Sequence, residues 1–196
     1  MRLKTLLVVA LALGALAAGI VVSQSGYDFM AKGGKLLLAE VLDTCTTCDD
    51  EATLVTLEMT QDEWLAYFSE QETQLEELDE EELQRGALAG LTEQEAQTLA
   101  AYLAINVPVD VDNVQALPPD GNQLAQETCT ICHAIAATVI EDRSATRWIS
   151  HLQNPTHSGI GLSEGQMQEL AHYLEINYPM SLEAVPEPLR TPMPSY

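Results

Sequence analysis

Thr128-Cys129-Thr130-Ile131-Cys132-His133 is the stretch whose reading decides this chain. Two cysteines three apart, followed at once by histidine, form the attachment signature of a c-type haem. Each thiol can add across a haem vinyl group as a thioether, and the adjacent imidazole can bind the iron as proximal ligand. The spacing suits a helical turn, with both sulfurs at one edge of the porphyrin and the next residue turned beneath it. Half of a zinc knuckle would need further ligands at knuckle spacing, and none follows. A thioredoxin-like redox pair should open a helix after a strand in a βαβ pattern, which the sequence lacks. Cys129 and Cys132 are therefore expected to hold one covalent haem c, with His133 on its iron.

The pattern continues downstream. Trp148 follows Cys129 by nineteen residues, then come Leu162-Ser163-Glu164 and Leu170-Ala171-His172-Tyr173-Leu174. From 121 to 178 the chain resembles the small monohaem cytochromes c, including their closing helix with its serine cap and Tyr-Leu end. The resemblance implies an all-α fold, electron transfer rather than catalysis, and haem attachment in a bacterial periplasm. It also implies a methionine as sixth ligand in the loop before the closing helix. Here that loop, 153–161, contains no methionine but does contain His157. Asn154-Pro155 and Ser158-Gly159 make it a turn that can swing an imidazole over the distal face. His157 is the expected distal ligand, His151 the second candidate and Met180 the third. His151 lies three residues after Trp148, so both can face the haem. Met167 fits the apolar stripe of the closing helix, and His172 reads as a surface residue. Histidine in place of methionine lowers the potential and leaves the iron closed to small ligands. Arg143 or Arg147 is a candidate partner for a haem propionate, with solvent exposure the alternative for either.

An earlier copy of the same series precedes this one. Thr44-Cys45-Thr46-Thr47-Cys48 echoes Thr128 to Cys132, and Trp64 follows Cys45 by the same nineteen residues. Gly90-Leu91-Thr92-Glu93 and Leu99 to Pro108 then repeat Gly161-Leu162-Ser163-Glu164 and Leu170 to Pro179. A tandem duplication explains the matched intervals. The copies differ at the chemistry: Asp49 stands where His133 would, and no histidine precedes residue 133. A carboxylate is a poor substitute for imidazole on haem iron. The first copy reads as a cytochrome c-like fold without haem, its Cys45 and Cys48 joined as a local disulfide in an oxidising compartment. A redox-active pair, or an atypical haem, is the alternative there. Tyr67, Phe68, Leu54, Leu57 and Met59 are the candidate fillers of its haemless cavity.

These readings give a domain plan within 196 residues. Residues 1–25, basic at Arg2 and Lys4 and uncharged from Leu6 to Val22, form a signal peptide or a membrane anchor. Residues 26–108 form the haemless domain, 109–120 a Pro-containing linker, 121–180 the haem domain, and 181–196 a Pro-rich tail expected to lie extended over a partner or the protein itself. Helical periodicity marks 35–44, with a shorter helix from Gly121 to Thr128. Thr60-Gln-Asp-Glu63 is a capping box that places Trp64 in a first helical turn, and Thr92 and Ser163 are candidate caps of the closing helices.

The net charge of −22, from 30 acidic against 8 basic residues, disfavours binding to nucleic acid. Much of it lies between Glu70 and Glu82, where the first copy is thirteen residues longer than the second. This is a solvated run or a docking face for a basic redox partner. The sequence thus points to a non-enzymatic periplasmic electron carrier with one covalent haem, no small-molecule substrate, and possible anchorage to the inner membrane through its leader. The alternatives are a subunit of a larger respiratory or photosynthetic complex, or a ligand sensor or small peroxidase with an open iron.

Overall fold

Local capping chemistry fixes where the helices begin. Thr60 Oγ1 accepts from Glu63 N–H at 3.3 Å while the Glu63 carboxylate accepts from Thr60 N–H at 2.8 Å. Thr92 with Glu95 and Ser163 with Gln166 close the same reciprocal box. Each box satisfies backbone donors that a helix start otherwise leaves without partners. Ser144 adds a simpler cap, its hydroxyl accepting from Arg147 N–H.

The structure is a computed structural model that describes residues 26–44, 56–75, 90–108, 117–157 and 159–190. It is all-α, with no strand among the described residues. The helices are α1 (Gly34–Thr44), α2 (Gln61–Leu75), α3 (Glu93–Asn106), α4 (Gly121–Leu124), α5 (Ala136–Val139), α6 (Ala145–Leu152) and α7 (Glu164–Asn177). α4 widens into a π-helical turn over Ala125–Cys129. The expected leader, Cys45, Cys48, Asp49, Leu54, the acidic run beyond Leu75, linker residues 109–116 and the last six residues lie outside the described residues. No described helix is long and apolar enough to cross a membrane.

Two apolar clusters form, one around each tryptophan. The first joins Leu37, Leu38 and Val41 of α1 to Trp64 and Phe68 of α2 and to Leu99, Tyr102 and Leu103 of α3. The second joins Leu124 and Ala125 to Trp148, Leu152, Leu170, Tyr173 and Leu174. Leu170, Ala171 and Leu174 are buried on the predicted stripe of α7, and Met167 packs partly buried against the same cluster. In the first cluster Phe68 is buried and Tyr67 and Met59 are partly so, but Leu57 is 41% exposed. It lies between the helical residue Thr56 and the Thr60 cap, outside any described helix, so no helix face carries it inward.

The same contact closes each cluster. An added Cβ on Gly34 would lie 2.1 Å from Tyr102 Cβ, and one on Gly121 would lie 2.0 Å from Tyr173 Cβ. Each glycine lets a tyrosine ring rest on the backbone of the helix it begins. The tyrosines then reach across. Tyr102 OH donates to Pro118 O at 3.0 Å, and Tyr173 OH donates to Ala31 O at 2.7 Å. Both acceptors lie three residues before the glycine of the opposite half. The neighbouring side chains are exchanged as well, since Met30 is buried in the second cluster and Leu117 in the first.

Asp120 locks this arrangement. Its carboxylate accepts from Gln123 N–H at the start of α4 (2.9 Å) and from Lys35 N–H at the start of α1 (3.0 Å). One side chain therefore caps a helix in each half. Gly33 holds the matching position before α1, where a Cβ would lie 2.2 Å from Asp120 Cγ. The tail also folds back: Leu182–Ala184 and Glu187–Leu189 form 3-10 turns, Val185 is fully buried in the second cluster, and Arg190 donates to Val185 O and Glu183 O.

Two outcomes follow from these contacts. Gly34→Ala and Gly121→Ala should each lower stability by about 1–3 kcal/mol through overpacking, whereas Gly90→Ala, with nothing within 4 Å of the new Cβ, should be near neutral in urea unfolding. Asp120→Ala removes two caps at once and should cost roughly 2–3 kcal/mol in the same measurement, against about 1 kcal/mol for loss of an ordinary cap.

Candidate functional site

The widened turn after α4 sets the site. Thr128 Oγ1 donates to Leu124 O and Thr130 Oγ1 donates to Gln126 O, both at 2.6 Å. These back-bonds compete with the regular α ladder where it opens into the π turn. The helix ends there, and Cys129 through His133 lie on the turns that follow. Cys129 is partly buried and Cys132 exposed, and neither is in a disulfide.

A cleft opens beside them. Cys129, Cys132 and His133 line one side, Trp148, His151 and Leu152 of α6 another, and His157, Ile160 and Leu174 the rest, with Thr128 and Thr138 at its edge. Its enclosed volume is about 30 Å³, within a solvent-open cleft of about 420 Å³. Thus Cys129, Cys132, His133, Trp148, His151 and His157, separated by up to 28 residues in the sequence, share one concavity. Met180 does not line it. Its backbone is held at Val139 O and it packs on the second cluster from elsewhere. His172 is partly buried on α7 and is likewise not among the lining residues.

The histidines have defined tautomers wherever a carbonyl faces them, because a carbonyl only accepts. His157 Nδ1 lies 2.9 Å from His151 O, and His133 Nδ1 lies 3.2 Å from Ala134 O. Each contact places an N–H on Nδ1, so in the neutral form of either ring Nε2 is the nitrogen that can bind a metal. The His151 and His157 rings stand 4.5 Å apart. Burial, then the positive Arg143 and the neighbouring histidines, hold His151 below its ordinary value, which keeps a neutral imidazole in the cleft. A 3-10 turn at Pro155–His157, shaped by Asn154 Oδ1 accepting from Thr156 N–H and Oγ1–H, presents His157.

Trp148 is 3% exposed, yet its indole N–H has no acceptor. Trp64, fully buried in the first cluster, shares the defect among the described residues. An indole N–H buried without a partner forfeits its hydration, which a native fold rarely tolerates. Edge-on packing recurs at both tryptophans: Tyr67 meets Trp64 at 5.9 Å and His151 meets Trp148 at 5.9 Å. Arg143 lies with its guanidinium 4.9 Å from the Trp148 ring centre and pairs with Glu141 at 3.2 Å, while Arg147 is exposed.

Burial pushes the Cys129 thiol up, against the opposing pull of the Thr128 and Thr138 hydroxyls. A redox-active cysteine pair needs the reverse, a thiolate favoured at neutral pH. The pair also follows a helix rather than opening one after a strand. Both observations count against the thioredoxin-like reading. Thr138, Ile160 and Leu174 carried no signal in the sequence that would assign them to a site, because their place in the cleft depends on how α5 and α7 pack. In the reduced, cofactor-free chain, iodoacetamide should alkylate Cys132 well before Cys129, as read by peptide mass mapping; equal rates would contradict the burial difference.

No protein-family model, curated protein or solved structure matches this chain.

Proposed function

We propose that this protein is an exported electron-transfer cytochrome c with two tandem cytochrome c-like domains, only the second of which carries haem. The haem is held by thioethers to Cys129 and Cys132, with His133 as proximal and His157 as distal iron ligand. One observation carries the reading: two thiols outside any disulfide and the imidazoles of His133 and His157, each with its Nδ1 on a backbone carbonyl, line one cleft.

The donor set fits a covalent haem. Imidazole nitrogen suits haem iron, and the thiols lie at the spacing that thioether attachment requires. The orphaned Trp148 N–H is suited to an acceptor such as a propionate oxygen. A porphyrin needs more room than the cleft now encloses, so the cleft would have to open to admit it. When bound, haem supplies one-electron chemistry at its iron.

The chain's own residues supply the rest. Ala134 O and His151 O fix the two imidazole tautomers, which is the outer-shell control that orients metal-binding histidines. Trp148, Leu152, Ile160 and Leu174 exclude water from the cleft and so shape the potential. Two histidine ligands favour a lower potential than histidine with methionine. The acidic surface suits a basic redox partner, because opposite charge speeds encounter. The periplasm and the 1–25 segment as signal or anchor belong to the same proposal, since disulfides and covalent haem both fit an oxidising compartment.

Expression of the full chain in a host that matures c-type cytochromes should yield coloured protein with one haem per chain by pyridine-haem spectrum and intact mass. Cys129→Ser with Cys132→Ser should abolish covalent attachment. His157→Ala should convert a low-spin spectrum to one that binds carbon monoxide rapidly in the reduced state. Colourless protein without added mass would refute the proposal, and an unchanged low-spin spectrum in His157→Ala would remove His157 as ligand.

A further inference from the structure

The joint between the halves contains a mismatch at an otherwise repeated contact. Asn106 and Asn177 end α3 and α7 at matched positions. Each amide donates to the carbonyl of its own helix's tyrosine at 2.9 Å. Each also reaches into the other half. Asn177 Nδ2 donates to Thr98 Oγ1 at 3.0 Å, and Asn106 Nδ2 approaches Glu169 Oε2 at 3.4 Å. Thr98 and Glu169 hold matched places on α3 and α7, and each is almost fully buried. Thr98 is neutral and also donates to Gln94 O. Glu169 brings a carboxyl to the same kind of place, where Oε1 accepts from Gly121 N–H at 3.0 Å.

A second buried carboxyl adjoins it. Asp120, also 3% exposed, immediately precedes Gly121. Burial pushes its carboxyl up, and the backbone N–H groups it accepts from the starts of both α4 and α1, with the nearby Lys35, pull it back towards the charged form. No basic side chain among the described residues forms an ion pair with either carboxyl. Lys35, at the start of α1, lies near Asp120 but spends its ammonium on Leu117 O. From α3, Glu169 faces the neutral phenol of Tyr102 and the Asn106 amide; from α4, it faces Asp120 and Gly121 N–H. Tyr173 on its own helix stays neutral through burial. Two ionised carboxylates here would repel in a dry setting without a cation between them.

We propose that Glu169 is a proton-operated latch: in the folded chain it keeps its proton beside the charged Asp120, and losing that proton sets two unpaired carboxylates against each other where Asp120 ties α4 to α1. The proton belongs on Glu169 because Asp120 accepts the backbone N–H groups of Lys35, Leu36 and Gln123 and has the Lys35 charge nearby, whereas Glu169 accepts one backbone N–H and a long contact from the Asn106 amide. Burial above all pushes the Glu169 carboxyl up to about 8, with the Gly121 N–H opposing it and the charge on Asp120 adding to it. The folded value thus lies above the unfolded one, near 4.5. Between these values the folded state holds the extra proton, so stability falls as pH rises through that window and levels off above it. This inference rests on the joint alone and is independent of the haem reading.

The test compares the full chain, as purified, with its Glu169→Gln and Glu169→Thr variants from about pH 5 to about pH 8.5, by urea unfolding and by amide exchange. Wild type should lose stability with rising pH, with exchange rising first at the amides that Asp120 caps at the starts of α1 and α4. Glu169→Gln should flatten the profile and unfold at least about tenfold less at pH 8, since each unit of separation between folded and unfolded values is worth tenfold. Glu169→Thr, which copies Thr98, should flatten it too. A carboxyl-carbon NMR titration of wild type gives a reading that needs no variant to fold. A Glu169 midpoint below about 6, a pH slope unchanged in both variants, or exchange that rises uniformly over the chain would each overturn the latch.

Discussion

A glycine without a side chain is what allows each half of this protein to close. At Gly34 and Gly121 the tyrosine ring of the closing helix lies where a Cβ would stand. The ring can rest on a helix backbone only because nothing projects from it. That approach also fixes the direction of the phenol, whose hydroxyl emerges on the far side and donates to the opposite half. The packing of each cluster and the joining of the two clusters are therefore one event. A ring that could not settle on its glycine would lose its cluster contacts and its cross-bond together.

The joint repeats its contacts about an approximate two-fold, in the manner of an isologous interface. Tyrosine hydroxyls, asparagine amides and the exchanged residues Met30 and Leu117 all recur. The repetition fails where charge is concerned. Two aspartates before α1 and α4 would put two carboxylates into one space, and Gly33 with Asp120 avoids that by letting one carboxylate cap both helices. Thr98 and Glu169 differ for the opposite effect, since there a second carboxyl is admitted beside the first. The halves can thus look alike in their apolar packing and differ in how they respond to protons.

The cleft inherits its position from this joint. α4 starts at Gly121, under Tyr173, and runs through the π-helical turn to Cys129. The contact that docks the halves also anchors the segment bearing the first thiol. α6 is capped at Ser144 and carries Trp148 and His151 to the opposite wall, while the turn after it presents His157.

Much of this was legible in the residues. Capping boxes at Thr60, Thr92 and Ser163 depend on side chains three positions apart, so their order in the chain nearly determines their structure. The paired tryptophans, the α7 stripe and the Cys129-Cys132-His133 signature are local in the same sense, and the structure brings His151 and His157 to that signature while leaving Met180 aside. Other features had no local sign. The exchange of Met30 and Leu117, the double role of Asp120, the burial of Glu169 and the pairing of Arg143 with Glu141 over Trp148 arise only when distant segments meet. Leu57 shows the limit from the other side: apolar and near the first core, it stays exposed because the chain there has no helix face to turn it inward. The sequence by itself determined the helical caps, the recurrence and the Cys129-Cys132-His133 motif, since these rest on short-range hydrogen bonding and residue spacing. Tertiary packing alone decided which groups share a cleft and which carboxyls share a dry joint, because burial and the long-range field of neighbouring charges exist only once the helices have docked.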